Sequence, residues 1–81
     1  MPMTAYVIRY ADRAARCKAA LGAAQRASLE ELEKRLSLNP FGAPAKSHRD
    51  DSWSATFEGG FVQYVVSNRH VVINVIDLVT A

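Results

Sequence analysis

The sequence predicts an α+β domain in which two N-terminal helices pack on one face of a four-stranded antiparallel sheet. Three observations predict this fold: a β-branched and aromatic segment at 4–10, an alanine- and leucine-rich region at 12–38, and strand-like segments separated by tight turn signals from Trp53 onward. The expected order of elements is therefore β-α-α-β-β-β. A chain of 81 residues has room for one hydrophobic core, so residues 1–81 are expected to form a single domain.

The first strand is predicted from Thr4 to Tyr10, because β-branched and aromatic residues dominate this segment. In an extended chain, side chains alternate between the two faces, so Tyr6, Ile8 and Tyr10 share one face. The opposite face carries Arg9, the one charged residue of the strand.

A first helix is predicted to begin at Asp12, whose side chain suits an N-cap, and to run through alanine-rich sequence to Leu21. Gly22 interrupts the pattern. A second helical segment follows to Leu38, and the Asn39-Pro40 pair ends it.

The second helix has one apolar stripe, formed by Leu29, Leu32 and Leu36 at helical spacing. Ser28-Leu29-Glu30-Glu31 matches a capping box. The helix is therefore expected either to run through from Gly22 or to begin again at Ser28.

A polar connection, Phe41 to Asp51, leads to three strands joined by short turns. The strands are predicted at Trp53–Glu58, Phe61–Ser67 and His70–Val79, with turns at Gly59-Gly60 and Asn68-Arg69. Strands joined in this way form an antiparallel meander. Two helices can cover one face of the sheet, so the other face is expected to be open, with apolar side chains on it from the last two strands.

The composition limits the cellular compartments and the kinds of chemistry that are expected for this protein. The net charge of +2 and pI near 9.0 permit contact with RNA, DNA or an acidic peptide, but also fit an ordinary solvated surface. A single cysteine, Cys17, cannot form an internal disulfide, and the longest apolar run, Val71 to Val79, is too short to cross a membrane. These features predict a cytoplasmic protein with no membrane contact. Two histidines without a cysteine pair or acidic cluster predict no metal, and no cofactor motif is present.

The order of elements resembles the RelE/ParE superfamily of toxins from type II toxin–antitoxin systems. The residues that carry the resemblance are the leucine stripe followed by Asn39-Pro40-Phe41-Gly42, the hairpin segment Gly59 to Val66, and the last strand Val71 to Ile76. The resemblance covers nearly the whole chain and implies the fold described above. It also implies a cognate acidic antitoxin as partner, and for the members that cut mRNA it implies the ribosome and its mRNA as targets.

The chain departs from the pattern of the mRNA-cleaving members. They carry basic residues on the meander, and a basic and tyrosine cluster after the last strand. Where they often have Gly-Tyr-Arg, this chain has Gly60-Phe61-Val62, and the preceding strand contains Ser54-Ala55-Thr56 in place of lysines. The segment after the last strand, Thr80-Ala81, contains no histidine, arginine or tyrosine. The catalytic residues of the superfamily are therefore not carried over to this sequence.

Chemistry on RNA would need other residues here. Cleavage through the 2′-hydroxyl requires a group that takes its proton, and positive charge near the phosphorus. Lys46, His48 and Arg49 form the basic cluster that could supply both, and the alternative is a solvated loop. Six further residues are candidates for contact with RNA or a partner, although edge protection, core packing or turn exposure also explains them: Arg9, Tyr64, Arg69, His70, Asn74 and Asp77.

Two hypotheses of function follow. The first is the toxin of a type II toxin–antitoxin pair, acting as an mRNA interferase that inhibits translation. The second is a non-catalytic interaction or regulatory module on the same fold. A partner that covers apolar surface would stabilise a core this small. Self-association of the open sheet face as a symmetric dimer would have the same effect.

Overall fold

A five-stranded mixed sheet with two helices on one face forms the domain. The computed structural model describes residues 5–42 and 45–80. In chain order, the elements are β1 (Val7–Tyr10), α1 (Asp12–Ala19), α2 (Ala23–Leu38), β2 (Lys46–Ser47), β3 (Trp53–Phe57), β4 (Gly60–Ser67) and β5 (Val72–Thr80). The strand order across the sheet is β1-β5-β4-β3-β2.

The predicted α+β class is confirmed, with two differences in the sheet. The predicted four strands become five because the Phe41–Asp51 connection contains β2, a two-residue strand paired with β3. The sheet is also not antiparallel throughout, because β1 pairs with β5 in parallel. Antiparallel geometry is required only where a short turn joins two strands, and the connection from β1 to β5 contains both helices and the meander.

Both helices begin at predicted positions, α1 at Asp12 and α2 directly after Gly22, with differences in how they are capped. The N-cap of α1 is Ala11 and not Asp12, which is the first helical residue, where its charge interacts favourably with the helix dipole. The α2 helix is continuous from Ala23, so the expected alternative of a new start at Ser28 is wrong. The Ser28 hydroxyl instead accepts a 2.8 Å hydrogen bond from the backbone N–H of Glu58, which ties α2 to the turn between β3 and β4.

The hydrophobic core lies between the helices and the inner face of the sheet. The predicted stripe of Leu29, Leu32 and Leu36 is buried and forms one cluster with Leu21 and Ala14 and with the inward residues of β3, β4 and β5. Tyr6, Ile8 and Tyr10 pack against this cluster as half-buried side chains, which confirms their predicted common face. Thr4, the predicted start of β1, lies outside the described residues.

The hairpin between β3 and β4 turns at Glu58-Gly59, one residue earlier than predicted. Gly59 has φ +83°, a backbone conformation that residues with a Cβ rarely adopt. Gly60 instead starts β4, where a Cβ would lie 2.2 Å from the carbonyl oxygen of Val79. The two glycines therefore have separate functions, one in the turn and one in the close approach of β4 and β5.

A β-bulge interrupts the pairing of β4 with β5. Gln63 pairs with Asp77 and Tyr64 pairs with Val75, so Ile76 has no partner on β4. Because of this extra residue, Val75 and Leu78 both face the core although they are three positions apart. The helices described here include none long and apolar enough to cross a membrane.

Candidate functional site

The face of the sheet opposite the helices, here called the open face, carries side chains in rows that run across the strands. Strand register places Lys46, Ser54, Gln63 and Asp77 in one row, from β2 to β5. A second row contains Thr56, Phe61 and Val79, and a third contains Val65, Asn74 and Arg9. Side chains that are far apart in sequence therefore lie side by side on one surface.

The first candidate site, here called the Lys46–His48 pocket, lies on the open face over β2, β3 and β4. It has a volume of about 400 Å³ and is lined by Lys46, His48, Ser54, Thr56, Phe61 and Gln63. The pocket combines an ammonium group, an imidazole, hydroxyl and amide groups, and a partly exposed aromatic ring. These are the groups that hold and activate a polar ligand with a flat ring.

The imidazole of His48 is oriented by a strand residue. His48 Nε2 and Ser54 Oγ are 2.9 Å apart, and the backbone N–H of His48 donates a 2.8 Å hydrogen bond to the carbonyl oxygen of Ser52. The loop that carries His48 is thus fixed to β3 by both its side chain and its backbone.

A small polar network holds the turn after His48. The hydroxyl of buried Ser52 donates a 2.6 Å hydrogen bond to the Asp50 carboxylate, and the Ser52 backbone N–H donates to the same oxygen. Gln63 on β4 donates to the Ser52 hydroxyl at 3.2 Å. The hydrogen bond from the Ser52 side chain lowers the pKa of Asp50, so this carboxyl stays charged and keeps accepting both bonds.

The predicted basic cluster is only partly assembled. Lys46 and His48 line the same pocket, whereas Arg49 lies in the turn beyond it and is not among the lining residues. The pocket also contains Ser54, Phe61 and Gln63, which were not chosen as candidates from the sequence. The two-residue alternation of β3 and β4 was the signal that could have placed them on the open face.

When Gly60-Phe61-Val62 is aligned with Gly-Tyr-Arg, Val62 takes the position of the arginine. In the structure, Val62 is buried against the helices. The neighbouring position on the open face is Phe61, which is 39% exposed. An aromatic ring therefore stands at this point of the pocket.

A second pocket, here called the Arg9–His70 pocket, lies at the other end of the open face. It is lined by Arg9, Ser67, His70, Val72 and Asn74 and has a volume of about 410 Å³. Three of the predicted contact residues therefore come together: Arg9, His70 and Asn74. Arg69 is exposed in the turn before β5 and does not line this pocket.

Tyr64 was a candidate for contact with RNA or a partner, and its burial agrees with the alternative explanation, core packing. Its ring is fully buried on the inner face, and its hydroxyl donates a 2.6 Å hydrogen bond to the carbonyl oxygen of Pro40. The even-numbered residues of β4 face the helices, so Tyr64 is a core residue. Asp77 does lie on the open face, and its carboxylate is 3.8 Å from Nε of Arg13 on α1.

A third cavity, with a volume of about 690 Å³, opens between β1 and the two helices. Its lining includes Tyr10, Lys18, Glu33 and Lys34. Tyr10 donates a 2.5 Å hydrogen bond to Glu33, and the Lys18 ammonium lies 2.8 Å from the same carboxylate oxygen. Burial, followed by the hydrogen bond to Glu33, raises the pKa of Tyr10, so its hydroxyl remains a donor.

Within residues 5–42 and 45–80, no group of three or more histidine, cysteine, aspartate or glutamate side chains could hold a metal ion. Cys17 is a free, half-buried thiol packed against the core.

Solved structures with the same fold are RelE toxins. The chain superimposes on the toxin–antitoxin complex RelBE2 of Mycobacterium tuberculosis with a TM-score of 0.83 and 20% identity, covering 99% of this chain and 95% of that one. For the isolated RelE toxin of E. coli the TM-score is 0.83 with 24% identity, covering 95% and 85%. For the intact E. coli RelBE complex it is 0.82 with 25% identity, covering 95% and 98%.

No protein-family model matches the sequence, and no curated protein sequence matches it either. The likeness is thus carried by the structure, over nearly the whole chain. This protein has the fold of the RelE-like toxin superfamily, which confirms the resemblance identified in its sequence.

Proposed function

We propose that this protein is the toxin of a type II toxin–antitoxin pair. The observation that carries the proposal is the superposition of 95% to 99% of the chain on RelE toxins, both isolated and in complexes with their antitoxins. The proposed target is mRNA on the ribosome, and the proposed reaction site is the Lys46–His48 pocket.

The side chains of the Lys46–His48 pocket support cleavage of RNA through the ribose 2′-hydroxyl. The ring of Phe61 offers a surface on which a base can stack, and the Gln63 amide can form hydrogen bonds with a base edge. The ribose and its phosphate then lie toward Lys46 and His48. Stacking on Phe61 does not depend on the identity of the base, so any sequence preference is expected to come from the Gln63 hydrogen bonds alone.

In the proposed step, the His48 imidazole takes the proton of the 2′-hydroxyl, and the 2′-oxygen attacks the adjacent phosphorus. The bond from phosphorus to the 5′-oxygen breaks, and the His48 imidazolium returns the proton to this leaving oxygen. The products are a 2′,3′-cyclic phosphate and a 5′-hydroxyl. The Lys46 ammonium stabilises the negative charge on the phosphorane, while Arg49 adds positive potential from the neighbouring turn.

The reaction is tested with purified protein, ribosomes and a bound mRNA. His48→Ala is expected to abolish cleavage, because no other histidine lines the pocket within the described residues. Arg69→Ala is the control, since Arg69 is exposed and outside the pocket, and it should cut like the unaltered chain. Uncut mRNA with the unaltered protein, or full activity of His48→Ala, would contradict this assignment.

The cognate antitoxin is proposed to dock on the outer edge of β1 and in the cavity beside it. The backbone N–H groups of Val7 and Ala11 point inward, toward the residue before β5 and toward β5 itself. Alternation therefore directs the polar backbone groups of Ile8 and Tyr10 to the outer edge. An extended segment can add to such an edge as a further strand. The net charge of +2 of the chain favours an acidic partner, whereas within the cavity the two lysines, Lys18 and Lys34, are balanced by Glu30 and Glu33.

The second candidate function, a non-catalytic interaction module, is favoured by a separate observation. Four apolar side chains of the open face are about 40% exposed: Phe61, Val65, Ile76 and Val79. Apolar side chains grouped on one surface are typical of a face that binds another protein. Induced expression separates the two candidates, because a toxin arrests growth unless its antitoxin is present, whereas a binding module does not.

A further inference from the structure

The Arg9–His70 pocket is built by residues from three parts of the chain that meet on the open face. Arg9 on β1 lies directly opposite Asn74 on β5, and Ser67 at the end of β4 lies opposite Val72. His70 reaches the same place from the turn that joins β4 to β5. The pocket therefore depends on the parallel pairing of β1 with β5.

The polar groups of the Arg9–His70 pocket are mainly hydrogen-bond donors. The Arg9 guanidinium has five N–H donors, the His70 imidazole has at least one in either protonation state, and the Asn74 amide has two. None of the described residues that line the pocket is a carboxylate. Among the described residues the ion pairs are Arg13–Asp77 and Lys18–Glu33, so Arg9 is not engaged by a carboxylate there.

The turn that carries His70 has an unusual backbone. Val71 has φ 54°, in the left-handed region that β-branched residues avoid. The conformation is held from both sides, because the Val71 carbonyl accepts a 2.9 Å hydrogen bond from the Val7 N–H and the His70 N–H donates to the Ser67 hydroxyl. A strained conformation that is fixed in this way places the His70 side chain next to Arg9.

We propose that the Arg9–His70 pocket is a phosphate-binding site, separate from the Lys46–His48 pocket. A guanidinium group binds two phosphate oxygens with two parallel N–H donors, and the imidazole and amide can reach the remaining oxygens. Free phosphate and the backbone phosphate of an RNA strand offer the same chemistry to these groups.

Of these two sources of phosphate, the RNA backbone is the one that extends the proposed function, and this part of the inference rests on that proposed function. β4 contributes Gln63 to one pocket and Ser67 to the other, and four residues of a strand span about 13 Å. Arg9 on β1 is separated from the His48 side of the sheet by β5 and β4, so an RNA strand that reacts at His48 would cross the open face past Val65 and place at Arg9 a phosphate further along the strand.

The site itself is tested with inorganic phosphate and the full chain, followed by NMR. Phosphate is expected to give saturable shifts of the His70 ring and Asn74 amide signals. Arg9→Ala should weaken this binding about tenfold, as loss of a bidentate charge-assisted contact does. The matched control is Arg69→Ala, which removes the same charge from the adjacent turn but not from the pocket. Equal loss in both variants, or equal shifts with acetate, would overturn the phosphate site.

A six-nucleotide RNA provides the second arm. Arg9→Ala should weaken its binding and reduce the slope of log affinity against log salt by about 0.7, the value for one phosphate contact on a single strand. If the unaltered chain cuts RNA and Arg9→Ala changes neither quantity, the inference fails while the proposed function stands. If phosphate shifts His70 but the RNA neither binds nor is cut, the proposed RNA chemistry fails, and the pocket is a site for free phosphate.

Discussion

The Tyr64 hydroxyl donates a 2.6 Å hydrogen bond to the carbonyl oxygen of Pro40, 24 residues earlier in the chain. The bond joins the middle of β4 to the second residue after the end of α2, and both residues are buried. Burial also raises the pKa of Tyr64 to about 12, so the hydroxyl remains a donor throughout the neutral range. One side chain therefore fixes the exit of the second helix against the sheet.

Tyr64→Phe is expected to lower the free energy of unfolding by about 1–3 kcal/mol, because the Pro40 carbonyl would stay buried without a donor. The measurement is denaturant unfolding of the purified protein. Tyr6→Phe is the matched control, since Tyr6 donates to Asn68 in an exposed position and its loss should cost clearly less. Equal costs for the two variants would show that burial of the Pro40–Tyr64 bond does not matter.

Leu32→Ala should destabilise the domain by about 2–5 kcal/mol, the usual cost of removing a buried leucine side chain. Leu32 is 4% exposed, at the centre of the apolar stripe of α2. Leu38→Ala in the last turn of the same helix provides the comparison, because Leu38 is 58% exposed. A denaturation midpoint that moves equally in both variants would contradict the packing of α2 on the sheet.

Acid should release the turn next to His48. The pKa of Asp50 is lowered from 3.8 in the folded protein, so its hydrogen bonds to Ser52 contribute stability above that pH. The contribution is lost as the pH falls through the lowered pKa. The Ser52 amide signal in NMR spectra should therefore titrate with a midpoint below 3.8, and Asp50→Asn should remove this transition. A midpoint at or above the ordinary value would contradict the network.

Coexpression with an acidic protein encoded beside it should give a complex that is more stable to heat than the chain alone. Its rate of formation should fall with salt, because opposite charges accelerate the encounter. Lys34→Glu in the cavity next to β1 should weaken the complex, whereas Arg16→Glu, on α1 but not among the cavity-lining residues, should have little effect. Light scattering would show a symmetric dimer if the open face associates with itself instead.

Local patterns predicted most of the fold. The leucine stripe of α2 and the alternation of Trp53–Glu58 each depend on residues that are neighbours in sequence, and both are confirmed. The parallel pairing of β1 with β5 depends on residues about 65 positions apart, for example Arg9 and Asn74, and no local pattern encodes it.

The candidate site was predicted less completely for the same physical reason. Lys46 and His48 are close in sequence and were identified together, but their neighbours in the pocket come from β3 and β4. Tyr64 was kept as a candidate contact residue beside the core explanation, because an aromatic residue on a strand can lie either in the core or on a base-binding surface. Its face follows from the register of β4, which the sequence alone leaves open.

The β-bulge at Ile76 shifts the alternation of inward and outward side chains along β5 by one residue. Before it the inward residues, Ile73 and Val75, have odd numbers, and after it the inward residue, Leu78, has an even number. Deletion of Ile76 would restore a regular ladder without exchanging core and surface, since Val75 and Leu78 would keep their partners on β4. Deletion of this one residue is therefore compatible with the packing of the core, whereas a deletion elsewhere in β5 would turn part of the core outward.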